Sequence, residues 1–114
     1  MIKDIAKQYN IDYISLEDFS IASVAFTMEN ALKMVDAMEQ EVEAILGGDI
    51  YIFDGKELEP AYMFWECERA EGMTLSQFVH SSCAYTKEYL SKIKKKITSD
   101  SSKQLLVDIV QYKI

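Results

Sequence analysis

The segment from Val42 to Glu68 constrains the fold of this chain more than any other stretch. It contains three of the four glycines, the only proline and the only tryptophan. Glycine marks backbone conformations that other residues avoid, proline fixes φ, and tryptophan needs a large apolar environment. We therefore expect the centre of the fold to lie in this segment.

The middle of this segment has the pattern of a β-hairpin. In Asp49–Phe53, β-branched and aromatic residues occupy both alternating faces, which predicts an inner strand covered on both sides. The dipeptide Asp54-Gly55 is typical of a two-residue type I′ turn, because both residues tolerate positive φ. The sequence therefore predicts an antiparallel pairing of Ile50–Phe53 with Lys56–Glu59.

Two further strands are predicted on either side of the hairpin. Glu41–Leu46 alternates apolar and polar residues and indicates a strand that enters a turn or bulge at Gly47-Gly48. Ala61–Glu68 alternates in the same way. Tryptophan in such a strand usually lies in the core with its indole N–H on a carbonyl, so we expect Trp65 there; an exposed anchor for a partner is the alternative.

Two amphipathic helices are predicted outside this segment. Thr27 is a favourable N-cap, and apolar residues recur at helical spacing over Met28–Gln40. Thr74 and Gln77 form a capping box, in which each side chain bonds the other residue's backbone N–H. One apolar stripe then continues to about Lys96, which predicts a long helix over residues 75–96.

The N-terminal residues are less clearly patterned. Ile2–Tyr9 has helical spacing and predicts a short helix or helical turn. The pattern of Ile11–Ser23 is ambiguous. Leu16–Phe19 fits a helical turn capped by Ser15, and Ile21–Phe26 fits either a short strand or a buried link.

The C-terminal residues complete the predicted architecture. Ser99–Lys103 is a polar linker, and Leu105–Tyr112 alternates as a strand that must return along the long helix to the sheet. The order of elements predicts an α+β fold in which a mainly antiparallel sheet packs against two main helices. A chain of 114 residues forms one domain, 1–114.

Composition limits the cellular setting. No apolar run approaches the roughly 20 residues of a membrane helix, and the first residues lack the apolar core of a secretion signal. Cys67 and Cys83 fit a reducing compartment as two small apolar thiols. We therefore expect a cytoplasmic protein without a membrane partner.

The net charge of −7 is concentrated in one part of the chain. Asp36–Glu71 contains eleven acidic and two basic residues, so it carries −9 and the remainder carries +2. Such a field repels nucleic acid and anionic lipid and attracts a basic partner, with salt-sensitive association. Solubility alone is the competing explanation.

Residues that carry chemistry are sparse. His80 has no second histidine or acid at helical spacing beyond it, and Cys67 and Cys83 lack the spacing of a zinc site. Glu66 and Glu68 are the remaining candidates for general acid–base catalysis, but nothing in the sequence indicates a raised pKa for either carboxyl. We expect no catalytic residues, no cofactor and no metal site.

Two motifs give the chain a resemblance to a known family. The stretch Ala44–Tyr51, which reads AILGGDIY, is followed by Trp65 with Cys67 two residues later. With the order of elements, these motifs resemble the immunity protein 40 family of bacterial polymorphic toxin systems. The resemblance covers Phe26 to Tyr112 and leaves out residues 1–25. It implies an α+β protein that neutralises a cognate toxin by tight non-covalent binding in the cytoplasm.

The charge pattern indicates where such a toxin would bind. The expected surface is the acidic sector of the hairpin and the following strand, with Tyr62 or Phe64 as the aromatic anchor. The candidate partner-binding residues are Asp49, Asp54, Glu57, Glu59, Tyr62, Phe64, Glu66 and Glu68.

A small ligand-binding or regulatory module is the main alternative. In that case Tyr51, Tyr62, Phe64 and Trp65 would line an apolar pocket. A pocket would bury these aromatic side chains in one cavity, whereas an inhibitor would display acids and an aromatic anchor on an open face.

Overall fold

The structure is a computed structural model that describes residues 2–96 and 103–113. Within these ranges, three helices and five strands follow one another along the chain. They are α1 (Ile2–Gln8), β1 (Ile14–Ser15), β2 (Val24–Thr27), α2 (Met28–Gln40), β3 (Ile45–Phe53), β4 (Leu58–Glu66), α3 (Leu75–Lys96) and β5 (Gln104–Gln111). Apart from Lys103, the predicted linker Ser99–Lys103 lies outside the described residues.

The described strands form one antiparallel sheet in the order β1-β2-β5-β3-β4. The strand β3 lies between β5 and β4, which confirms the predicted inner strand, but the predicted cover on both sides is incomplete because Asp49 is exposed. The C-terminal strand β5 does return to the sheet, where it separates β2 from β3. The predicted α+β architecture is therefore confirmed.

Both long helices begin at the predicted residues. The Thr27 hydroxyl accepts a hydrogen bond from the Asn30 backbone N–H at 3.2 Å, and α2 spans Met28–Gln40 as expected. At the start of α3, the Thr74 N–H donates to the Gln77 side chain at 2.9 Å, and the Gln77 N–H donates to the Thr74 hydroxyl at 3.1 Å. The capping box is thus confirmed.

The structure settles both ambiguous patterns near the N-terminus. The Ser15 hydroxyl accepts a hydrogen bond from the Glu17 N–H at 3.3 Å, and Glu17–Phe19 forms a single 3-10 turn. Strand β2 then begins at Val24. The predicted short helix at the N-terminus is confirmed as α1.

The predicted strand Glu41–Leu46 is wrong for residues 41–44, and only Ile45 and Leu46 belong to a strand. Helix α2 ends in a Schellman motif, in which the Val42 N–H donates to the Glu39 carbonyl at 3.1 Å and the Glu43 N–H to the Met38 carbonyl at 2.8 Å. Val42 has φ of +58° at the position that glycine usually occupies in this motif. Hydrogen bonds of the helix end therefore override the alternating pattern, and β3 starts only at Ile45 and continues through both glycines.

The β3–β4 hairpin is confirmed, but its turn is not the predicted one. The Asp54 N–H donates to the Glu57 carbonyl at 3.3 Å, so Gly55 and Lys56 are the central residues, one position later than expected. Only Gly55 of these has positive φ, at +100°, whereas a type I′ turn requires positive φ at both central positions. The Asp54 side chain explains the shift, because its Oδ1 accepts the N–H groups of Lys56 and Glu57 and holds the loop from inside.

The two faces of the sheet are covered differently. The face toward α2 and α3 carries the main core, where residues of β3, β4 and β5 pack against both helices. On the opposite face, Leu16, Ala25 and Leu106 form a smaller cluster with the segment around the 3-10 turn, and Phe19 contacts Phe53 edge to face at 5.8 Å. This cover reaches only the end of the sheet near the hairpin turn.

Candidate functional site

The sheet is unusually tight where the two glycines of β3 lie. A Cβ atom on Gly47 would lie 2.3 Å from the Trp65 carbonyl oxygen, and one on Gly48 would lie 2.2 Å from the Asp108 carbonyl oxygen. No side chain fits at either position without moving the backbone of a neighbouring strand. The pairing of β3 with β5 also shifts register between Ile45 and Gly47, so a bulge lies beside the glycine pair that was predicted to form one.

Trp65 is paired with Gly48 on the neighbouring strand, and its side chain lies on the covered face of the sheet, which packs against α2 and α3. Its side chain is 3% exposed, and its indole N–H donates to the Thr86 hydroxyl of α3 at 2.9 Å. The indole also packs against Tyr89, with ring centroids 5.4 Å apart. Trp65 is therefore a core residue, as expected, although its hydrogen-bond partner is a hydroxyl rather than a carbonyl.

The opposite surface of the same region is largely exposed within the part of the chain that the structure describes, and we call it the open face. It carries the side chains of Leu46 and Asp49 on β3, Phe64 on β4, and Asp108 and Val110 on β5. Leu46, Phe64 and Val110 are 45%, 61% and 41% exposed. A shallow groove of about 430 Å³ crosses this face. The groove is lined by Leu46, Gly47, Gly48, Asp49, Phe64, Trp65, Glu66, Cys67, Glu68 and Val110.

Two carboxylates lie opposite each other on the open face. Asp49 and Asp108 are paired residues of β3 and β5, so their side chains project from the same side of the sheet. Asp108 is buried, and its Oδ1 accepts a hydrogen bond from the Ser23 hydroxyl at 2.9 Å. Burial raises the pKa of Asp108; the Ser23 bond opposes this and the Asp49 charge adds to it. Burial, followed by the Asp108 and Asp49 charges, also raises the pKa of Tyr51.

A family model described as Immunity protein 40 matches residues 15–111. The chain belongs to the immunity protein 40 family. The match begins at residue 15, so it includes part of the segment 1–25 that the resemblance left out. No curated protein and no solved structure matches the chain.

The structure divides the predicted partner-binding residues of this immunity protein into two groups. One group lines the groove: Asp49, Phe64, Glu66 and Glu68. The other lies toward the hairpin turn: Asp54, Glu57, Glu59 and Tyr62. Gly47 and Phe53 are six positions apart on β3, so the two ends of the hairpin are separated by roughly 20 Å.

The residues near the hairpin turn differ in their roles. Hydrogen bonds from the backbone of Glu57 and then Lys56 lower the pKa of Asp54, whose carboxylate shapes its own loop. Tyr62 lies at a register shift of β4, has φ of +56° and is 88% exposed. A second depression of about 260 Å³ is lined by Tyr51, Tyr62 and Phe64 together with neighbouring residues, and Trp65 is not among them.

Sequence reasoning missed three residues of this immunity protein's open face, Leu46, Asp108 and Val110, and the Ser23 hydroxyl that bonds Asp108. Leu46 was assigned to a predicted strand before the glycines instead of to β3, and the other three lie far from the hairpin in sequence. No local pattern marks Asp108, because its position inside a strand looks like an ordinary outward polar residue. A carboxylate paired with Asp49 becomes visible only when β5 is known to lie beside β3.

The remaining polar candidates occupy structural positions. Cys67 and Cys83 are buried free thiols, and burial raises the pKa of Cys83 to about 11. His80 is exposed and lies 3.2 Å from Glu39. Within the described residues, no group of three or more histidine, cysteine or acidic side chains is arranged to hold a metal ion. None of the described helices combines the length and apolar composition needed to cross a membrane.

Proposed function

We propose that this immunity protein neutralises a cognate bacterial toxin by tight, non-covalent binding in the cytoplasm, and that its acidic surface contacts a basic surface of that toxin. Membership of the immunity protein 40 family supports the role. The open face is the observation that carries the binding surface, because it combines exposed apolar side chains with flanking acids on a rigid sheet. Interfaces have this composition when an apolar centre supplies affinity and a charged rim selects the partner.

The distribution of acids supports the same surface. The segment with a net charge of −9 forms the end of α2, all of β3 and β4, and the loop that follows β4. Strand β4 lies at an edge of the sheet, and Glu59, Glu66 and Glu68 are exposed along it or just beyond it. Charges in such positions raise the association rate with a basic partner and contribute less to the lifetime of the complex.

Binding without catalysis fits the residues at the open face. The groove contains no histidine, and its one cysteine, Cys67, has its pKa raised by burial, which keeps the thiol protonated. The carboxyls of Glu66 and Glu68 lie at the rim, where they are exposed. These residues are suited to contacting a partner.

Co-expression with the toxin tests this function. A toxin domain encoded beside this gene is produced in a host with and without the immunity protein, and growth is measured. We expect wild-type protein to restore growth and to bind the purified toxin with an association rate that falls as salt is raised. Failure of both protection and binding would contradict the proposed function.

A charge-reversal variant tests the acidic surface separately. Replacing Asp49, Glu59, Glu66 and Glu68 together by lysine should slow association with the toxin and remove most of its salt dependence. A matched control reverses four exposed acids elsewhere on the protein: Glu17, Asp18, Glu29 and Glu88. Equal binding by both variants would mean that the acids serve solubility alone.

The alternative of a small-molecule pocket has weaker support. Tyr51, Tyr62 and Phe64 do share a depression, but its volume of about 260 Å³ is below the range of roughly 300–1,000 Å³ that is usual for ligand sites. Tyr62 and Phe64 are largely exposed, and Trp65 lies in the core instead. Display of these aromatic residues on an open surface favours a macromolecular partner.

A further inference from the structure

The paired carboxylates of the open face repel each other, although the Ser23 hydroxyl donates a hydrogen bond to Asp108. Like charges placed directly opposite on neighbouring strands destabilise a sheet. The ion pairs among the described residues are Lys33–Glu29, His80–Glu39, Lys87–Asp36 and Lys92–Glu88, and none of them includes Asp49 or Asp108. A cation from a partner would relieve this repulsion.

The two carboxylates differ in a way that suits recognition of one cation. Asp108 is only 8% exposed, and the Ser23 hydroxyl fixes its Oδ1, so the orientation of this carboxylate is set before any partner arrives. Asp49 is exposed and lies beside it on β3. A partly buried, fixed carboxylate next to an exposed one gives strong charge-assisted hydrogen bonds to a group that can reach both.

The apolar neighbours of the two carboxylates indicate which cationic side chain would bind between them. Phe64 is the residue paired with Asp49 on β4, so an aromatic ring flanks the carboxylates on one side. Leu46 and Val110 are exposed in the groove that Asp49 and Phe64 also line, and Asp108 lies beside this groove next to Asp49. Arginine suits this arrangement better than lysine, because its planar guanidinium bonds two carboxylates at once, stacks on an aromatic ring and is weakly hydrated.

On the basis of the proposed function, we propose that the open face binds an arginine side chain of the toxin. The guanidinium lies between Asp49 and Asp108, and apolar residues of the toxin pack on Leu46, Phe64 and Val110.

Charge complementarity also excludes a second copy of this chain as the occupant. A symmetric dimer through the open face would place the acidic patch of one copy, which includes Asp49, Glu66 and Glu68, against the same patch of the other. Such a contact would bury like charges without a cation, which strongly disfavours association. A basic partner is therefore the occupant that the groove fits.

Binding of the toxin domain to matched variants tests this assignment. The neutral variants Asp49→Asn and Asp108→Asn and the truncation Phe64→Ala are compared with Glu29→Gln and Glu88→Gln, which remove the same charge at exposed positions of α2 and α3. We expect the three open-face variants to bind at least about 30-fold more weakly, mainly through faster dissociation, and the two controls to change affinity by less than about threefold. Circular dichroism verifies that each variant is folded.

The outcomes separate the two proposals. If wild-type protein binds the toxin but the open-face variants bind within about threefold of it, the arginine site is wrong while the proposed function stands. If Glu29→Gln and Glu88→Gln weaken binding as much as the open-face variants, the loss reflects net charge alone and the assignment is likewise overturned.

A peptide probe tests the arginine site without the toxin. The peptide acetyl-Leu-Arg-Leu-amide is titrated into isotopically labelled protein beside versions that contain lysine or neutral citrulline in place of arginine. We expect the arginine peptide to shift the backbone NMR signals of Asp49, Phe64 and Asp108 in wild type but not in Asp108→Asn. Equal shifts with citrulline or lysine, or no shifts at these residues, would overturn the assignment whether or not the protein protects against a toxin.

Discussion

The two faces of the sheet at Gly47 and Gly48 differ in burial and in charge. On the covered face, Trp65 is buried and its one polar atom is bonded to Thr86. On the open face, the adjacent residue Phe64 is mostly exposed, and two carboxylates lie opposite each other. The covered face satisfies every requirement of a stable core, whereas the open face retains groups that reduce stability, which is typical of a functional surface.

Hydrogen bonds also join the covered face to the helix layer. The Ile45 N–H at the start of β3 donates to the Ser82 hydroxyl of α3 at 3.0 Å, which ties the covered face to the helix. Within the described residues, no buried side-chain nitrogen or oxygen lacks a hydrogen-bond partner. The sheet below the groove is therefore joined to the helix layer by hydrogen bonds on its covered face.

Truncation of the neighbouring aromatic residues should give the largest contrast between the faces. Trp65→Ala should lower the free energy of unfolding by about 3–5 kcal/mol, because it leaves a cavity and an unpaired Thr86 hydroxyl. Phe64→Ala should lower it by less than about 1 kcal/mol, since most of the ring is already in water. Urea denaturation of both variants measures the difference, and similar losses would show that the open face is part of the core.

Adding a methyl group at Gly48 tests how closely β3 approaches its neighbouring strands. Gly48→Ala should cost about 2–3 kcal/mol of unfolding free energy, because the new Cβ would overlap a carbonyl of β5 and the Trp65 ring. Gly55→Ala is the matched control. Its Cβ would meet nothing within 4 Å, so only its positive φ opposes the change, at about 1 kcal/mol. Equal costs would mean that backbone conformation, and not close approach, explains Gly48.

The variant Asp108→Asn should stabilise the fold at neutral pH. Because the pKa of Asp108 is raised in the folded state, the folded protein holds this proton to higher pH than the unfolded chain. Stability then falls as pH rises above the ordinary value of 3.8. Asparagine carries no charge, so it avoids this loss of stability, and its side-chain oxygen still accepts a hydrogen bond from Ser23. The free energy of unfolding at pH 7 should therefore rise by up to about 1 kcal/mol.

Thermal melting at two pH values checks the effect of Asp108→Asn. The gain in melting temperature should be present at pH 7 and absent near pH 3, where the Asp108 carboxyl is mostly protonated in both the folded and the unfolded state. Glu59→Gln, which makes the same charge change at an exposed position, should shift the melting temperature much less. A variant that melts earlier than wild type at pH 7 would show that the Asp108 charge stabilises the sheet.

The smallest effect is expected at the bulge of β4. Tyr62 holds a left-handed conformation while its side chain is almost fully exposed. Tyr62→Gly should therefore raise the free energy of unfolding by about 0.5 kcal/mol, because relief of the backbone strain is partly offset by the greater entropy of glycine in the unfolded chain. Urea denaturation with Tyr62→Ala as the control isolates the backbone effect. A loss of stability in the glycine variant would indicate that the tyrosine ring packs on the sheet.

Local signals in the sequence determined the helices, the hairpin and the position of Trp65. The caps at Thr27 and Thr74 act within three or four residues, so their sequence patterns are sufficient to predict where α2 and α3 begin. Alternation around Trp65 likewise predicted the buried face of β4, because successive side chains of a strand must point to opposite sides. These features depend on neighbours along the chain.

Only the tertiary structure decided which strands are neighbours in the sheet and where the backbone adopts a conformation that its local sequence pattern does not favour. Hydrogen bonds at the end of α2 place Val42 in a left-handed turn, although its pattern favours a strand. Insertion of β5 between β2 and β3 brings Asp108 beside Asp49, and the carbonyl of Asp108 explains why Gly48 has no side chain. Such contacts join residues about 60 positions apart, and no periodicity within one segment reports which distant strand will become its neighbour.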